Sequence, residues 1–478
     1  MRIGAPDPSL TPVAGMVAVT ELVERLDVIG RLDAAIGPIK QRRRGHTGAQ
    51  LLVGLAAAQL VGEDFLVGLD RQRADQAGQA LAPVPDLAAT TAAGLARRLS
   101  DTQLAAVETG LGDVHTAALA TLIAVAPARA AALCESVTID LDTTDVEVYG
   151  RHKRGVAYNH QGQRVGRPHV ATWADTATVL AADLLAGNED PRGDAPALLR
   201  RALAALPARA RAGRIRLRAD AGYFAGQLAR AALFTGIEFA IGARRIAPLW
   251  RLLDGLTEAD WTDAIDMPAA QVAVADYCPN WWPAATRLLI RRVRLDVANG
   301  AVSADPRARR RRTLHPDQRV LPLPELTALA ATEPVYGYSF IVTNLDVSTG
   351  DAAADVEHWY RHRTQIENLF RDAKHGAALR HLPSGYPEVN RAWMWGALLA
   401  AGLTGWLHQL TATPTADGSL IGHGVRDGQA MIATLRHRLI RVPARLVHHA
   451  GALILRLPPG QTLLAEILAR IRALPATS

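Results

Sequence analysis

The chain has 478 residues, 49% of them hydrophobic, which allows a sizeable core and roughly two to four domains and excludes a disordered chain. Its two cysteines, Cys134 and Cys278, lie far apart without CxxC spacing, which argues against a disulfide framework or a zinc module and suits a reducing compartment. A net charge of +7 and a pI of 9.8 permit a polyanionic partner, although 50 Arg against only 3 Lys reflects compositional bias as well.

The opening "MRIGAPDPSLTPVAG" lacks the charged-then-apolar layout of a secretory signal. Residues 1–125 read as helices: "HTGAQLLVGLAAAQLVG" is apolar, "TTAAGLARRLSDTQLAAVETGL" is periodic, and "KQRRRGH" is a basic entry to the first. A helical bundle with a DNA-facing edge and a plain surface cluster both fit that basic run.

From Val137 the period changes to that of strands, in "VTIDLDTTDVEVYG", "QRVGRPHVATWAD" and "ATVLAADLLAGN". The helix "APALLRRALAALPARA", the strand "RIRLRADAGYF", the helix "AGQLARAALFTG" and the strand "IEFAIGARR" follow. This order predicts an α/β or α+β sheet with helices on its faces over 130–245. Residues 246–334 break the rhythm with "NWWP", a strand pair around "TRLLIRRVRLDV" and the solvated-loop pattern "DPRARRRRTLHP", and are expected to form a β-rich insertion. The sheet resumes over 335–385 with "YGYSFIVTNL", and 386–478 reads as helical. Trp393 to Leu407 is apolar but short and interrupted by glycines, which suits a buried helix better than a membrane span and predicts a soluble, cytoplasmic protein.

Chemistry concentrates at three places. Asp142 and Asp220 each end a predicted strand, where open α/β sheets gather their sites. "WYRHRTQIENLFRDAKHG" reads as one amphipathic helix on which Tyr360, Arg363, Glu367 and Lys374 fall within an arc of about 80° with Arg371 in the same stripe, while Trp359, Ile366, Phe370 and Ala373 face a core. Two Asp and a Glu suit Mg²⁺, which prefers carboxylate oxygens and takes phosphate oxygens as remaining ligands, and a pair of such ions supports in-line phosphoryl displacement. Asp140 shares a strand face with Asp142, so either is a candidate for the first ligand, Asp142 being nearer the strand end. A solvated helix face and strand-end turns are the alternatives for these residues taken singly.

The spacing Tyr360–Arg363–Glu367–Lys374 resembles the Tyr-Arg-Glu-Lys signature of DDE transposases from a large superfamily of bacterial insertion sequences. Asp142-Thr143-Thr144 and "RADAGYF" are similar to the segments carrying that family's first and second catalytic Asp, while "LDRQRAD" and "RHLPSGYPEVNRAWMWGALLA" resemble one subgroup, so the likeness spans the chain. It implies a ribonuclease-H-like mixed sheet with flanking helices, interrupted by a β-rich insertion, with helical regions at both ends, the first binding DNA. It further implies Asp142, Asp220 and Glu367 as ligands of two Mg²⁺ ions, with Mn²⁺ as substitute, and Tyr360, Arg363 and Lys374 as contacts to DNA phosphate. Cut-and-paste transposition through a hairpin, double-stranded DNA (terminal inverted repeats and target) as partner, a homodimer in the synaptic complex and a bacterial, nucleoid-associated location complete the expectation.

The subgroup's His-Gly-x-Gln segment after the first Asp is replaced here by "VEVYGRHKRG". Trp250, Trp261, Trp281 and Trp282 offer either a stacking surface for a flipped base or ordinary core packing. A metal-dependent nuclease that cuts without joining and a catalytically silent DNA-binding derivative remain as other readings.

Overall fold

The computed structural model describes residues 1, 3–41, 44–297, 309–415, 420–425 and 428–475, with the backbone alone at 309 and 310. Two capping boxes start the principal N-terminal helices. Thr47 and Ser100 each accept the N–H three residues on, and Gln50 and Gln103 return the bond, opening α1 (Gly48–Val61) and α2 (Asp101–Val125). Nearly every residue of α1 is buried, as its apolar composition on all faces requires.

Strand β1 (Ser136–Thr143) is buried continuously from Val137 to Leu141, the mark of a strand covered on both faces. It pairs antiparallel with β2 (Arg164–Trp173), and β2 pairs antiparallel with β3 (Thr178–Ala186). Helix α3 (Pro191–Ala205) leads to β4 (Arg214–Ala219), and α4 (Gly226–Phe234) leads from there to β5 (Glu238–Ala243). Both strands run parallel to β1, on the side away from β2. The C-terminal ends of β1 and β4 therefore emerge side by side.

Residues 246–334 add β6 (Ala270–Ala275) and β7 (Arg287–Arg294), which join the same sheet through β8 (Tyr336–Thr343). The spatial order is β3-β2-β1-β4-β5-β8-β7-β6, and with three short segments the described residues form an 11-stranded mixed sheet. The strand pair expected around "TRLLIRRVRLDV" is β6 with β7, the quoted segment supplying β7, which pairs on its other side with β8. The expected loop "DPRARRRRTLHP" begins outside the described residues, but Arg309–Thr313 is helical, and Arg311 is buried with its guanidinium donating to the Arg319 and Leu321 carbonyls at 2.7 Å. In "KQRRRGH", Arg42 and Arg43 likewise lie outside the described residues, and Lys40 is spent on the carbonyls of Arg44 and His46.

After β8 come α5 (Gly350–Arg361), α6 (Thr364–His375) and α7 (Pro387–Thr411). Helix α7 is buried along almost its whole length against α1 and β3. Trp406 Nε1 donates to His115 Nδ1 at 3.0 Å, and His115 Nε2 donates to the Val179 carbonyl at 3.0 Å, tying α7, α2 and β3 together. Burial pushes the His115 imidazole down to about 4, so it is neutral. Close approach is possible because residue 405 is glycine: a Cβ there would lie 2.4 Å from the Thr176 carbonyl oxygen.

The C-terminal region is not helical throughout. Ala444–His449 and Ala452–Arg456 form a hairpin, and its first strand pairs with Leu10–Thr11. Its turn places Ala450 and Gly451 at φ 50° and 78°, the paired positive values that match strand twist. Among the described residues no helix is long and apolar enough to cross a membrane.

Candidate active site

Parallel pairing of β1 with β4 sets Asp140 opposite Arg218 and Leu141 opposite Ala219. One step further, Asp142 and Asp220 leave the sheet side by side. The two steps are electrostatically opposite. Asp140 and Arg218 are fully enclosed and joined by two bonds, Nε–Oδ1 at 2.7 Å and Nη2–Oδ2 at 2.9 Å. Asp142 and Asp220 are like charges, and Asp142 is pushed up to about 6 by burial, with Arg363 opposing and Asp220 adding to the rise. Asp140 thus has its carboxylate committed to a guanidinium, which leaves Asp142 as the carboxylate at the strand end.

Asp220 caps the short turn Ala221–Tyr223, its Oδ1 accepting the Gly222 N–H at 2.8 Å. Asp142 Oδ1 accepts its neighbour Thr143 N–H at 2.7 Å, while Oδ2 accepts from Arg363 Nη1 at 2.8 Å. Arg363 reaches on to Glu367 Oε1 at 3.5 Å. A guanidinium therefore stands between the first Asp and the Glu. The Glu367 side chain is 60% exposed, whereas those of Asp142 and Arg363 are 14% exposed.

The signature segment is two helices, not the single helix its periodicity predicts. Across Arg361–Thr364 the backbone bonds run to the third residue back: His362 N–H to the Trp359 carbonyl (3.2 Å), Arg363 to Tyr360 (3.1 Å) and Ile366 to Arg363 (3.2 Å). Such a tightened turn advances side chains by more than the ideal helix does and splits the stripe. Two side chains stabilise the break. Arg218 Nη1 donates to the Trp359 carbonyl at 2.6 Å, and His362 Nδ1 bonds the His358 carbonyl at 2.7 Å. Arg218 also reaches Gln365 Oε1 at 3.3 Å, so one buried guanidinium holds β1, the end of α5 and the start of α6.

Arg363 and Glu367 remain in contact, while the outer two signature residues are drawn to other partners. The Tyr360 hydroxyl donates to the Ala219 carbonyl at 3.1 Å, and burial pushes it up to about 12. Lys374 Nζ donates to the Asp145 carbonyl at 2.8 Å, and burial lowers its pKa. Asp145 is itself held by Arg167 at 2.7 Å and Asn159 at 2.8 Å. Arg371 bonds Asn368 Oδ1 at 2.8 Å.

Asp142 and Asp220 supply the hard oxygen donors that Mg²⁺ or Mn²⁺ prefers, and the mutual repulsion of two carboxylates is the charge a divalent cation relieves. In donor chemistry the residues fit such an ion. Among the described residues, however, no three His, Cys, Asp or Glu side chains stand close enough to hold a metal, and Glu367 is separated from the pair by Arg363.

Sequence reasoning missed Arg218 and Tyr223. Tyr223 is 1% exposed with its hydroxyl unpartnered among the described residues, and burial, then the charges of Asp142 and Asp220, raise it well above the usual phenol range. Both lie in the quoted "RADAGYF", and an alternation argument places Arg218 on the face of Asp220, as it places Asp140 on that of Asp142. Of the tryptophans, Trp250 and Trp282 are buried, Trp261 stacks under Arg292 at 4.1 Å, and Trp281 is 42% exposed and edge-on to Phe224, the residue after Tyr223.

Three comparisons bear on this arrangement. No curated protein matches the chain. Among solved structures, the chain is similar to that described as "Cryo-EM structure of piggyBac transposase synaptic complex with hairpin DNA (SNHP)", at 10% identity and a TM-score of 0.40 over 96% of this chain and 85% of that one, a likeness too slight to carry an argument. The family model described as "Transposase DDE domain group 1" matches residues 8–301 and 327–476, most of the length and both sides of the site. The chain belongs to the DDE-domain transposase family.

Proposed function

We propose that the protein is a transposase that cleaves the ends of an insertion-sequence element and joins them to target DNA, with a hairpin as intermediate. The observation that carries this reading is the side-by-side emergence of Asp142 and Asp220 from adjacent parallel strands, with Arg363 bound to Asp142 from the helix junction. In this reading β3-β2-β1-β4-β5 is the ribonuclease-H-like part of the sheet, 1–125 binds DNA, 246–334 is an insertion, and two copies pair the element ends.

Asp142, Asp220 and Glu367 would hold the divalent ions, Mg²⁺ or in its place Mn²⁺. When bound, such ions activate an attacking oxygen and neutralise charge on the leaving one. The chain's own part begins with Arg363. It neutralises the otherwise repelling Asp142–Asp220 pair, and in the working complex its planar fork turns to a phosphate, which it binds as well as a carboxylate. Release of Arg363 from between Asp142 and Glu367 lets the two carboxylates approach. Tyr360 fixes the end of β4 through the Ala219 carbonyl, and Lys374 presents a cation about two helical turns from Glu367, roughly 10 Å along α6. Lys374 therefore positions DNA rather than metal.

A plasmid carrying the element ends, incubated with the protein and Mg²⁺, tests the reading. Excised donor and joined target products are expected. Nicked or linear donor with no joined product under paired-end conditions would replace transposition by cutting alone.

A further inference from the structure

Between Glu147 and Asp175 the chain contains no carboxylate, and Arg151, Lys153, Arg154, Arg164 and Arg167 fall in that interval. Its first part is a hairpin that leaves the active edge directly. Thr144 N–H bonds the Pro168 carbonyl at 3.0 Å, and Lys374 grips the Asp145 carbonyl. Some cations are spent on shaping it: Arg164 donates to the Gly150 and Lys153 carbonyls at 2.7 and 2.6 Å, and Lys153 to the Leu382 carbonyl. The Arg154 N–H bonds the Gly385 carbonyl at 3.2 Å, which docks the hairpin on the approach to α7.

Other cations are left facing solvent. Arg151 and Arg154 are exposed, and so are Arg97 and Arg98 beyond the helix Ala89–Ala96; none of the four has a carboxylate partner among the described residues. The guanidiniums of Arg97 and Arg154 lie 5.1 and 5.0 Å from the ring centre of Tyr386, so one aromatic ring gathers cations from two distant segments. On the same hairpin as Arg151 and Arg154, Tyr149 is 86% exposed and Tyr158 is 67% exposed. Tyr149 makes its hydroxyl bond at the rim, to Glu147 at 3.1 Å, and its ring is left to solvent.

Resting on the transposase reading, we propose that this surface binds an unpaired stretch of DNA next to the cleaved phosphate. Guanidiniums gathered at Tyr386 take successive phosphates, and Tyr149 and Tyr158 stack on bases. Duplex DNA hides its base faces, so the tyrosines distinguish an open strand from a closed one. Glu147 marks where the carboxylates of the active edge end and the phosphate-binding surface begins.

The full chain is tested by fluorescence anisotropy in Ca²⁺ with two labelled element-end duplexes, one blunt and one carrying a single-stranded extension. The triple variant Arg97→Ser, Arg151→Ser, Arg154→Ser should lose about tenfold or more in affinity for the extended DNA, with the log–log salt slope shallower by about 2. Tyr149→Ala with Tyr158→Ala should lose about five- to tenfold on the extended DNA with the slope unchanged. Blunt duplex should bind within about twofold of wild type in both cases, and exposed substitutions of this kind leave melting temperatures nearly unchanged. Equal losses on blunt and extended DNA, or no loss on either, would overturn the assignment. Wild-type protein that shows these binding differences but never joins ends would instead refute transposition and leave the surface standing.

Discussion

Asp140 and Asp142 are two residues apart on one strand, yet their surroundings give them different fates. Asp142→Ala removes a carboxylate from the strand-end pair and frees Arg363; it is expected to abolish cleavage while binding to the element end stays within about twofold, as phosphate contacts are kept. Asp140→Ala leaves the Arg218 guanidinium buried without its counter-charge, which costs on the order of 3–5 kcal/mol. The distinguishing measurement is thermal unfolding alongside Mn²⁺ binding by calorimetry. A large loss of melting temperature is expected for Asp140→Ala and little for Asp142→Ala, while Mn²⁺ affinity falls for Asp142→Ala in the folded protein. The reverse pattern would make Asp140 the metal ligand. Joint replacement by Leu at 140 and Met at 218 should restore most of the stability, since an apolar pair avoids the desolvation cost, yet the clamp on the Trp359 carbonyl would still be lost.

At the scale of elements, the helix junction and the strands around it can be perturbed separately. Gly242 lies in β5, where an added Cβ would stand 2.7 Å from the Tyr360 hydroxyl and 2.8 Å from the Ala221 nitrogen. Gly242→Ala should displace α5 from the strand ends, destabilising by about 1–3 kcal/mol and weakening Mn²⁺ binding; unchanged Mn²⁺ affinity at a lowered melting temperature would show that Tyr360 does not set the site. Away from the site, Glu108 on α2 accepts the Ala182 N–H of β3 at 3.0 Å, and burial pushes its carboxyl up to about 7, with Arg201 opposing. A folded-state pKa above the unfolded value means that the ionised form is the costly one. The penalty is absent at low pH, grows as pH rises from about 4.5, and is complete above about 7. Glu108→Gln should therefore raise the melting temperature at pH 8 and change it little at pH 4. A stabilisation equal at both values would assign the effect to packing instead.

The strands from Val137 to Ala243 were legible because alternation, β-branched residues and glycine-bearing turns agree there. Asp142 and Asp220 could be placed together from the ends of those strands. The break after Arg361 was not legible, because its cause is a guanidinium on β4 capturing the Trp359 carbonyl, a contact that depends on sheet order rather than local sequence. The hairpin 444–456 was missed for a related reason: its first strand finds its other partner at Leu10–Thr11, at the opposite end of the chain.

For the whole molecule, the sheet, the junction and the buried helix α7 form a frame that sets Asp142 and Asp220 at one edge and holds Glu367 on α6, one turn beyond Arg363. Arg363 is bound to Asp142 in the DNA-free protein, and the proposed function requires it to exchange that carboxylate for a phosphate when DNA binds. Arg363→Ala should leave the Asp142–Asp220 repulsion unrelieved, so the DNA-free protein should melt lower in the absence of divalent ions and recover on adding Mn²⁺. A melting temperature indifferent to Mn²⁺ would remove Arg363 from that role. The central claim, that Asp142, Asp220 and Glu367 act together on phosphodiesters, is tested most directly by the rate at which Glu367→Gln cuts a paired-end DNA substrate in Mg²⁺ and in Mn²⁺. The account predicts no cleavage with either ion while the circular dichroism spectrum and DNA binding stay as in the wild type. Cleavage at the wild-type rate by that folded variant would reduce the polar face of α6 to a solvated surface and contradict the account.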